Sequence, residues 1–239
     1  MNDDLTAERL AKVVHEGHRT MPNERPMLVC KPKNIESWRV FKIMSEFVEG
    51  FDIIRKYGLA VTIFGTARAS FEDIVYKDAE ALAGRLAKKG FAVITGGSAG
   101  VMQAANKGAF EAGGASVGLN INLPDTQYYN PYLTEKFSFD HFFVRKVILT
   151  YASEVYVYFP GGLGTLNEFF EIITLVQTGK IRKVPMILFG RGYWTPLLSF
   201  IEKTLYQKHS AIDEKDMDLY IVVDSVDEAY DYIIAHTSC

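Results

Sequence analysis

Between Leu59 and Ile234, short apolar runs alternate with amphipathic stretches, and three of the runs end in glycine, at Gly65, Gly96–Gly97 and Gly161–Gly162. That alternation constrains the fold more than any other feature. Runs of four to six apolar residues bounded by turn signals read as buried strands, and apolar residues at three- and four-residue spacing read as helices. Strands are expected at Leu59–Phe64, Ala92–Thr95, Ser116–Leu119, Glu154–Phe159, Val184–Leu188 and Leu219–Val223. Helices are expected at Phe71–Lys89, Ala99–Ala112, Leu166–Thr178, Trp194–Tyr206 and Val226–Ile234, and another begins near Phe142. Strands that alternate with helices imply a mainly parallel sheet covered on both faces.

The fold class is therefore α/β, a Rossmann-like, doubly wound sheet with helices on both faces, over residues 59–239. Residues 1–58 form a helical extension ahead of it. Within the extension, residues 5–18 read as a polar helix. Residues 19–33, with Pro22, Pro26 and Pro32, read as a connector. Glu36–Tyr57 is a helix with Val40, Ile43, Met44, Phe47, Val48, Phe51 and Ile54 at helical spacing, a face that should pack on the core or on a partner.

The composition narrows the function classes. Net charge is −3 and the Lys and Arg residues form no basic stripe, so a nucleic-acid partner is not expected. No apolar run reaches the roughly 18–20 residues of a membrane helix. The polar N-terminus is no signal peptide, and Cys30 and Cys239 suggest neither a disulfide framework nor a metal site. The expectation is a cytoplasmic protein. His15 and His18 share a helix face but lack a third ligand nearby, so zinc is not expected.

The chemistry concentrates in two strand-to-helix turns, Thr95-Gly96-Gly97-Ser98-Ala99-Gly100-Val101-Met102 and Phe159-Pro160-Gly161-Gly162-Leu163-Gly164-Thr165. Glycines let a backbone turn sharply and let a ligand approach, and the following helix N-terminus offers free N–H groups. Together these make anion sites, most often for phosphate. The first strand lacks G-x-G-x-x-G and the second ends without an acidic residue, which disfavours NAD. No G-x-x-x-x-G-K-[ST] is present, which disfavours a P-loop. A mononucleotide or sugar phosphate remains.

Glu168 and Glu171, three apart, share a helix face at the rim of the second loop. Thr165 and Glu168 also have the spacing of a capping box, the structural alternative for Glu168. Arg145 beside Lys146 follows two phenylalanines. It suits either an ion pair on a structural helix or a fork that holds phosphate or carboxylate. Tyr128-Tyr129-Asn130-Pro131-Tyr132 is an aromatic loop that either packs on the surface or closes over a base. Gln177 and Lys180 read as helix-end solvation.

These residues resemble the Lonely Guy (LOG) family, the cytokinin riboside monophosphate phosphoribohydrolases and their bacterial relatives. The family signature P-G-G-x-G-T-x-x-E is matched in full from Pro160 to Glu168. Its earlier loop is matched by Gly96, Gly97, Gly100 and Met102, and its Arg-Lys pair by Arg145-Lys146. The resemblance runs from about Leu59 to Tyr206. It implies hydrolysis of the N-glycosidic bond of a nucleoside 5′-monophosphate, of cytokinin or AMP type, to free base and ribose 5-phosphate, by a homodimer without a cofactor. It implies catalytic roles for Arg145 and Glu168. The two loops would hold phosphate and ribose through Gly96, Gly97, Ser98, Gly100, Met102, Gly161, Gly162, Gly164 and Thr165, with Lys146 and Glu171 in support. Ser98, Gln103 and Asn167 depart from residues common in relatives, which bears on base specificity. Two other readings are a nucleotide-binding module without turnover, and a pyridoxal-phosphate decarboxylase, for which no lysine sits in a suggestive setting.

Overall fold

A computed structural model describes residues 37–123 and 128–237. The expectations for residues 5–18 and 19–33, for His15 and His18 and for both cysteines lie outside these residues. The elements run α1 (Arg39–Ile54), β1 (Ala60–Phe64), α2 (Ile74–Lys88), β2 (Ala92–Thr95), α3 (Val101–Glu111), β3 (Ser116–Ile121), β4 (Glu135–Phe139), α4 (Phe142–Tyr151), β5 (Val155–Tyr158), α5 (Leu163–Gln177), β6 (Met186–Phe189), α6 (Arg191–Phe200), β7 (Ile221–Val223) and α7 (Val226–His236). A wider π-type turn carries α6 on through Ile201–Lys208. No described helix is long and apolar enough to cross a membrane.

The seven strands lie in the order β4-β3-β2-β1-β5-β6-β7. Every neighbouring pair is parallel. The chain winds outward from β1 to β4, then crosses back to β5 on the other side of β1. The sheet is thus doubly wound, with its topological switch point between β1 and β5, where open α/β sheets bind ligands beyond the strand C-termini.

Alternate side chains of the central strands feed two cores. Val61, Ile63, Val155 and Val157 pack with Leu82 and Leu86 of α2, Ala104 and Ala105 of α3 and Ile233 of α7. Phe64, Tyr156 and Tyr158 point the other way, into a core with Ile54 of α1, Ile148 of α4, Phe169 of α5 and Trp194 of α6. Helices therefore cover both faces. On the first face α2 and α3 approach closely: a Cβ on Gly108 would sit 2.0 Å from the carbonyl oxygen of Glu80.

Strand β4 lies outside the sequence expectations. Glu135-Lys136-Phe137-Ser138-Phe139 alternates in polarity, but it is an edge strand and largely uncovered, so it lacks the apolar run that marks the inner strands. Helix α1 differs in which face is buried. Glu46, Gly50, Ile53 and Ile54 point inward, whereas Val40, Met44, Val48 and Phe51 are exposed. The inward carboxylate has a use: Glu46 accepts hydrogen bonds from the N–H groups of Asp140 (3.3 Å) and His141 (3.2 Å), and its Oε1 lies 2.9 Å from His141 Nδ1. It thus satisfies the start of α4 from a neighbouring helix.

Candidate active site

Three loops meet at the switch point, after β1, β2 and β5, and hydrogen bonds hold them together. The N–H of Thr66 donates to Pro160 O (3.0 Å), and the N–H of Val101 donates to Thr66 O (2.9 Å). Gly100 makes this contact possible. Its φ is +68°, and a Cβ there would lie 2.3 Å from Thr66 O. The loop after β2 is also pinned from its far side. The N–H of Asn130 donates to Gly97 O (3.0 Å), and its side-chain amide donates to Ser98 O (3.2 Å) and Asn106 Oδ1 (2.9 Å). Thr95 Oγ1 accepts from the N–H of Gly97 at 2.8 Å. Gly97, Ser98 and Gly100 are therefore occupied in building the loop.

Between the loops lies a cavity of about 340 Å³, within the range of small-molecule sites. Gly65, Thr66 and Ala67 form one side and Gly96 with Met102 another. Helix α4 contributes Phe142 and Arg145. Helix α5 contributes Thr165, Asn167 and Glu168, with Gly162 and Gly164 at its start. Seven of the residues anticipated from sequence thus converge: Gly96, Met102, Arg145, Gly162, Gly164, Thr165 and Glu168. Gly97, Ser98, Gly100, Gly161, Lys146 and Glu171 stand behind this lining.

Two kinds of glycine share the second loop. A Cβ on Gly161 would lie 2.1 Å from Thr165 Oγ1, so packing requires glycine there. A Cβ on Gly162 or Gly164 would meet no atom within 4 Å. The first N–H groups of α5 have no intrahelical partner and carry the positive end of the helix dipole. This end of the cavity therefore carries positive partial charge.

The capping-box alternative for Glu168 does not hold. Helix α5 begins at Leu163 with Gly162 as its N-cap, three residues before the expected Leu166, and no side chain caps it. Thr165 and Glu168 are inside the helix, and Glu168 is too far along to reach back to the cap. Glu168 is 7% exposed, and its Oε2 has no hydrogen-bond partner among the described residues. Burial pushes its pKa up to about 7; the Arg145 and Lys146 charges pull against burial and the Glu171 charge adds to it. A buried carboxyl with a free oxygen at a cavity wall is poised to exchange a proton near neutral pH.

Arg145 faces it from α4. Its Nε donates to Leu119 O at 2.7 Å, which fixes the plane of the guanidinium. Glycine at position 96 leaves room for it, since a Cβ there would lie 2.6 Å from Arg145 Nη2. Burial lowers the Arg145 pKa from its usual value and the Glu168 charge raises it, yet no ion pair within 4.0 Å joins the two. Neither group is therefore spent in an ion pair with the other. The neighbouring pair behaves differently: Lys146 Nζ lies 2.5 Å from Glu171 Oε2, a closed ion pair one helical turn beyond Glu168.

Sequence reasoning missed Phe64, Thr66, Ala67 and Phe142 as lining residues. The glycine ending the first strand was the available signal for the loop after β1; nothing distinguished Phe142 from Phe143. The aromatic segment 128–132 packs on the body of the domain, with Tyr128 Oη 3.3 Å from Gln103 Oε1 and Tyr132 against Phe110, and does not line the cavity. Gln177 donates to Asp216 Oδ2 at 2.6 Å, a tie that its helix-end position did not announce.

Known proteins match this arrangement. A family model described as "Possible lysine decarboxylase" matches residues 102–233. The cytokinin riboside 5′-monophosphate phosphoribohydrolase of Rhodococcoides fascians is 29% identical over 140 residues, 56% of this chain and 67% of the relative. The phosphoribohydrolase LOG5 of Arabidopsis thaliana is 32% identical over 114 residues, 47% of this chain and 50% of its own. The chain thus spans about half the length of the plant relative. Among solved structures, a structural-genomics target named TM1055 is 28% identical, with a TM-score of 0.56 over 74% of this chain and 99% of that one. A molybdenum cofactor binding protein from Rippkaea orientalis, 20% identical with a TM-score of 0.57 over 74% of this chain and 96% of its own, shares the fold. With the family model covering more than half of its length, the chain belongs to the family described as possible lysine decarboxylases, which is the LOG family its glycine signature resembles.

Proposed function

We propose that the protein hydrolyses the N-glycosidic bond of a nucleoside 5′-monophosphate, a cytokinin or AMP-like purine nucleotide, giving the free base and ribose 5-phosphate. The observation that carries this reading is the unpaired, buried oxygen of Glu168 at the cavity wall, opposite Arg145 and beside the open N-terminus of α5. The names of the Rhodococcoides and Arabidopsis relatives support the same reaction class.

In this mechanism the start of α5, at Gly162, Gly164 and Thr165, receives the 5′-phosphate, and the guanidinium of Arg145 holds the substrate from the facing wall. The C1′–N bond breaks with its electron pair leaving on the base, and positive charge develops across C1′ and the ring oxygen. The Glu168 carboxylate stabilises that charge and takes a proton from the water that attacks C1′; the base acquires its proton from solvent. Each such contribution is worth about 10²- to 10⁴-fold in rate. Since Glu168 acts as the carboxylate, activity rises with pH through about 7.

A pyridoxal-phosphate decarboxylase fits these residues poorly. Among the described residues no lysine lines the cavity, and Lys146 is closed in its pair with Glu171. A homodimer is proposed as well. Phe41, Met44, Val48 and Phe51 form an exposed apolar row on α1, continued by Tyr151 of α4 against Phe51, and a second copy is the partner the family resemblance implies. Sedimentation of wild type and of Val48→Glu, expected to be dimer and monomer, tests it.

The functional test is a panel of AMP, GMP, CMP and N6-isopentenyladenosine monophosphate, with the matching nucleosides, read by chromatography for free base. Release from a monophosphate, absent from its nucleoside and lost in Glu168→Gln and Arg145→Ala, is the expected result. Binding without release from any substrate would refute hydrolysis and leave a nucleotide-binding module.

A further inference from the structure

The second glycine loop contains a peptide whose orientation packing alone does not determine. The Gly161–Gly162 unit is flanked by two residues without Cβ atoms, the combination that lets a peptide plane turn over most easily. Gly161 is wedged against Thr165 and Gly65, but a Cβ on Gly162 would have no neighbour within 4 Å. Among the described residues, one side-chain hydrogen bond from outside the loop reaches this peptide. Tyr193, in the first turn of α6, donates its phenol hydrogen to Gly161 O at 2.6 Å.

We propose that Tyr193 is a positioning residue that locks this peptide with the Gly162 N–H turned toward the cavity, where it binds a phosphoryl oxygen of the ligand. The proposal rests on the reading that the α5 end of the cavity takes the phosphate. In a trans peptide the carbonyl and the N–H point in opposite directions. No cis bond occurs among the described residues. A carbonyl held by Tyr193, which does not line the cavity, directs the N–H of the next residue the other way, and Gly162 does line it. If the plane turned over, a carbonyl dipole would face the anion and an attraction would become a repulsion.

Tyr193 is itself held firmly. Its ring packs edge-on against Trp194, with centroids 5.0 Å apart. Trp194 is fully buried and donates its indole N–H to Phe189 O at 3.1 Å. The N–H of Tyr193 donates to Gly190 O at 3.0 Å, and Gly190, at φ +94°, turns the chain from β6 into α6 beside Pro160. The end of β6 thereby sets the loop that follows β5. A neighbouring β–α unit supplies the support that the two glycines lack.

Tyr193→Phe removes the donor and keeps the ring at a position that is already 39% exposed, so the fold is retained. Calorimetry on the full chain would compare AMP, ribose 5-phosphate and adenosine, alongside a melting curve. The expected result is a loss of roughly three- to tenfold in affinity for AMP and ribose 5-phosphate, the size of one neutral hydrogen bond. Adenosine binding and melting temperature should stay unchanged. A role confined to stability would lower the melting temperature without distinguishing phosphorylated from unphosphorylated ligands. Equal losses for AMP and adenosine, or no loss for either, would overturn the proposal while leaving hydrolysis intact. A wild-type protein that bound adenosine as tightly as AMP would overturn both this and the phosphate reading. A wild type that preferred AMP yet released no base would refute hydrolysis alone.

Discussion

Replacing Glu168 by glutamine should abolish turnover and, at alkaline pH, make the protein more stable. The carboxyl is 7% exposed and its pKa stands at about 7 against an ordinary 4.5. Between those two values the folded state holds a proton that the unfolded chain has released. Stability associated with this group is thus fully present below pH 4.5 and is lost as pH rises through 7. The displacement of about 2.5 units corresponds to about 3 kcal/mol at roughly 1.36 kcal/mol per unit. Glutamine has the same shape and no proton to lose, so it escapes this dependence. The assay is urea unfolding of both proteins at pH 4.5 and pH 8, with the difference between them taken at each pH so that all other titrating groups cancel. Relative to wild type, Glu168→Gln should gain about 3 kcal/mol between the two pH values, while base release by the variant stays at background. A difference that did not change with pH would mean that Glu168 is not held near neutrality by burial. The account of the cavity as a desolvated carboxyl site would then fail, whatever the variant's activity.

Substitutions at four further positions probe separate parts of the site and of its supports. Gly161→Ala should destabilise by about 1–3 kcal/mol, since its Cβ falls 2.1 Å from Thr165 Oγ1. Gly162→Ala should leave unfolding within about 0.5 kcal/mol of wild type but weaken AMP binding about tenfold, because Gly162 lines the cavity and an added Cβ would touch no protein atom; parallel urea and calorimetric titrations separate the two. Glu46→Ala should cost about 2–3 kcal/mol in urea unfolding, since it strips the acceptor from the Asp140 and His141 N–H groups at the start of α4, and Glu46→Gln should cost less. Arg145→Lys should lower kcat/KM for AMP about a hundredfold or more, because an ammonium cannot donate to Leu119 O and present a fork to the ligand at once.

What could be read from the sequence divides along a physical line. Inner strands such as Ala60–Phe64 and Val155–Tyr158 are buried on both faces and so must be continuous apolar runs, which any chain displays openly. Strand β4 gives only Phe137 and Phe139 to the core, and on the same face Glu135 is tied to Lys56 and Tyr57, so its composition is that of a loop. The same division applies within the site. Gly96, Gly162 and Glu168 lie within contiguous motifs, because a strand-to-helix turn brings residues close in sequence to one cavity. Glu46 and Tyr193 act across 95 and 32 positions of chain, on His141 and Gly161. Such partners are chosen by where helices come to rest, and no local spacing encodes that. Glu46 did leave a trace: a carboxylate amid an apolar helix face breaks the pattern, and its partners at the start of α4 explain the break. Tyr193 left none, because an aromatic residue beside Trp194 looks like ordinary packing until the hydroxyl is seen to meet the Gly161 carbonyl. The loop glycines are legible because they recur together in contiguous strand-to-helix turns. The side chains that hold those glycines in place are not, because at most positions other residues would fold equally well, and only the geometry reveals the work they are set to do.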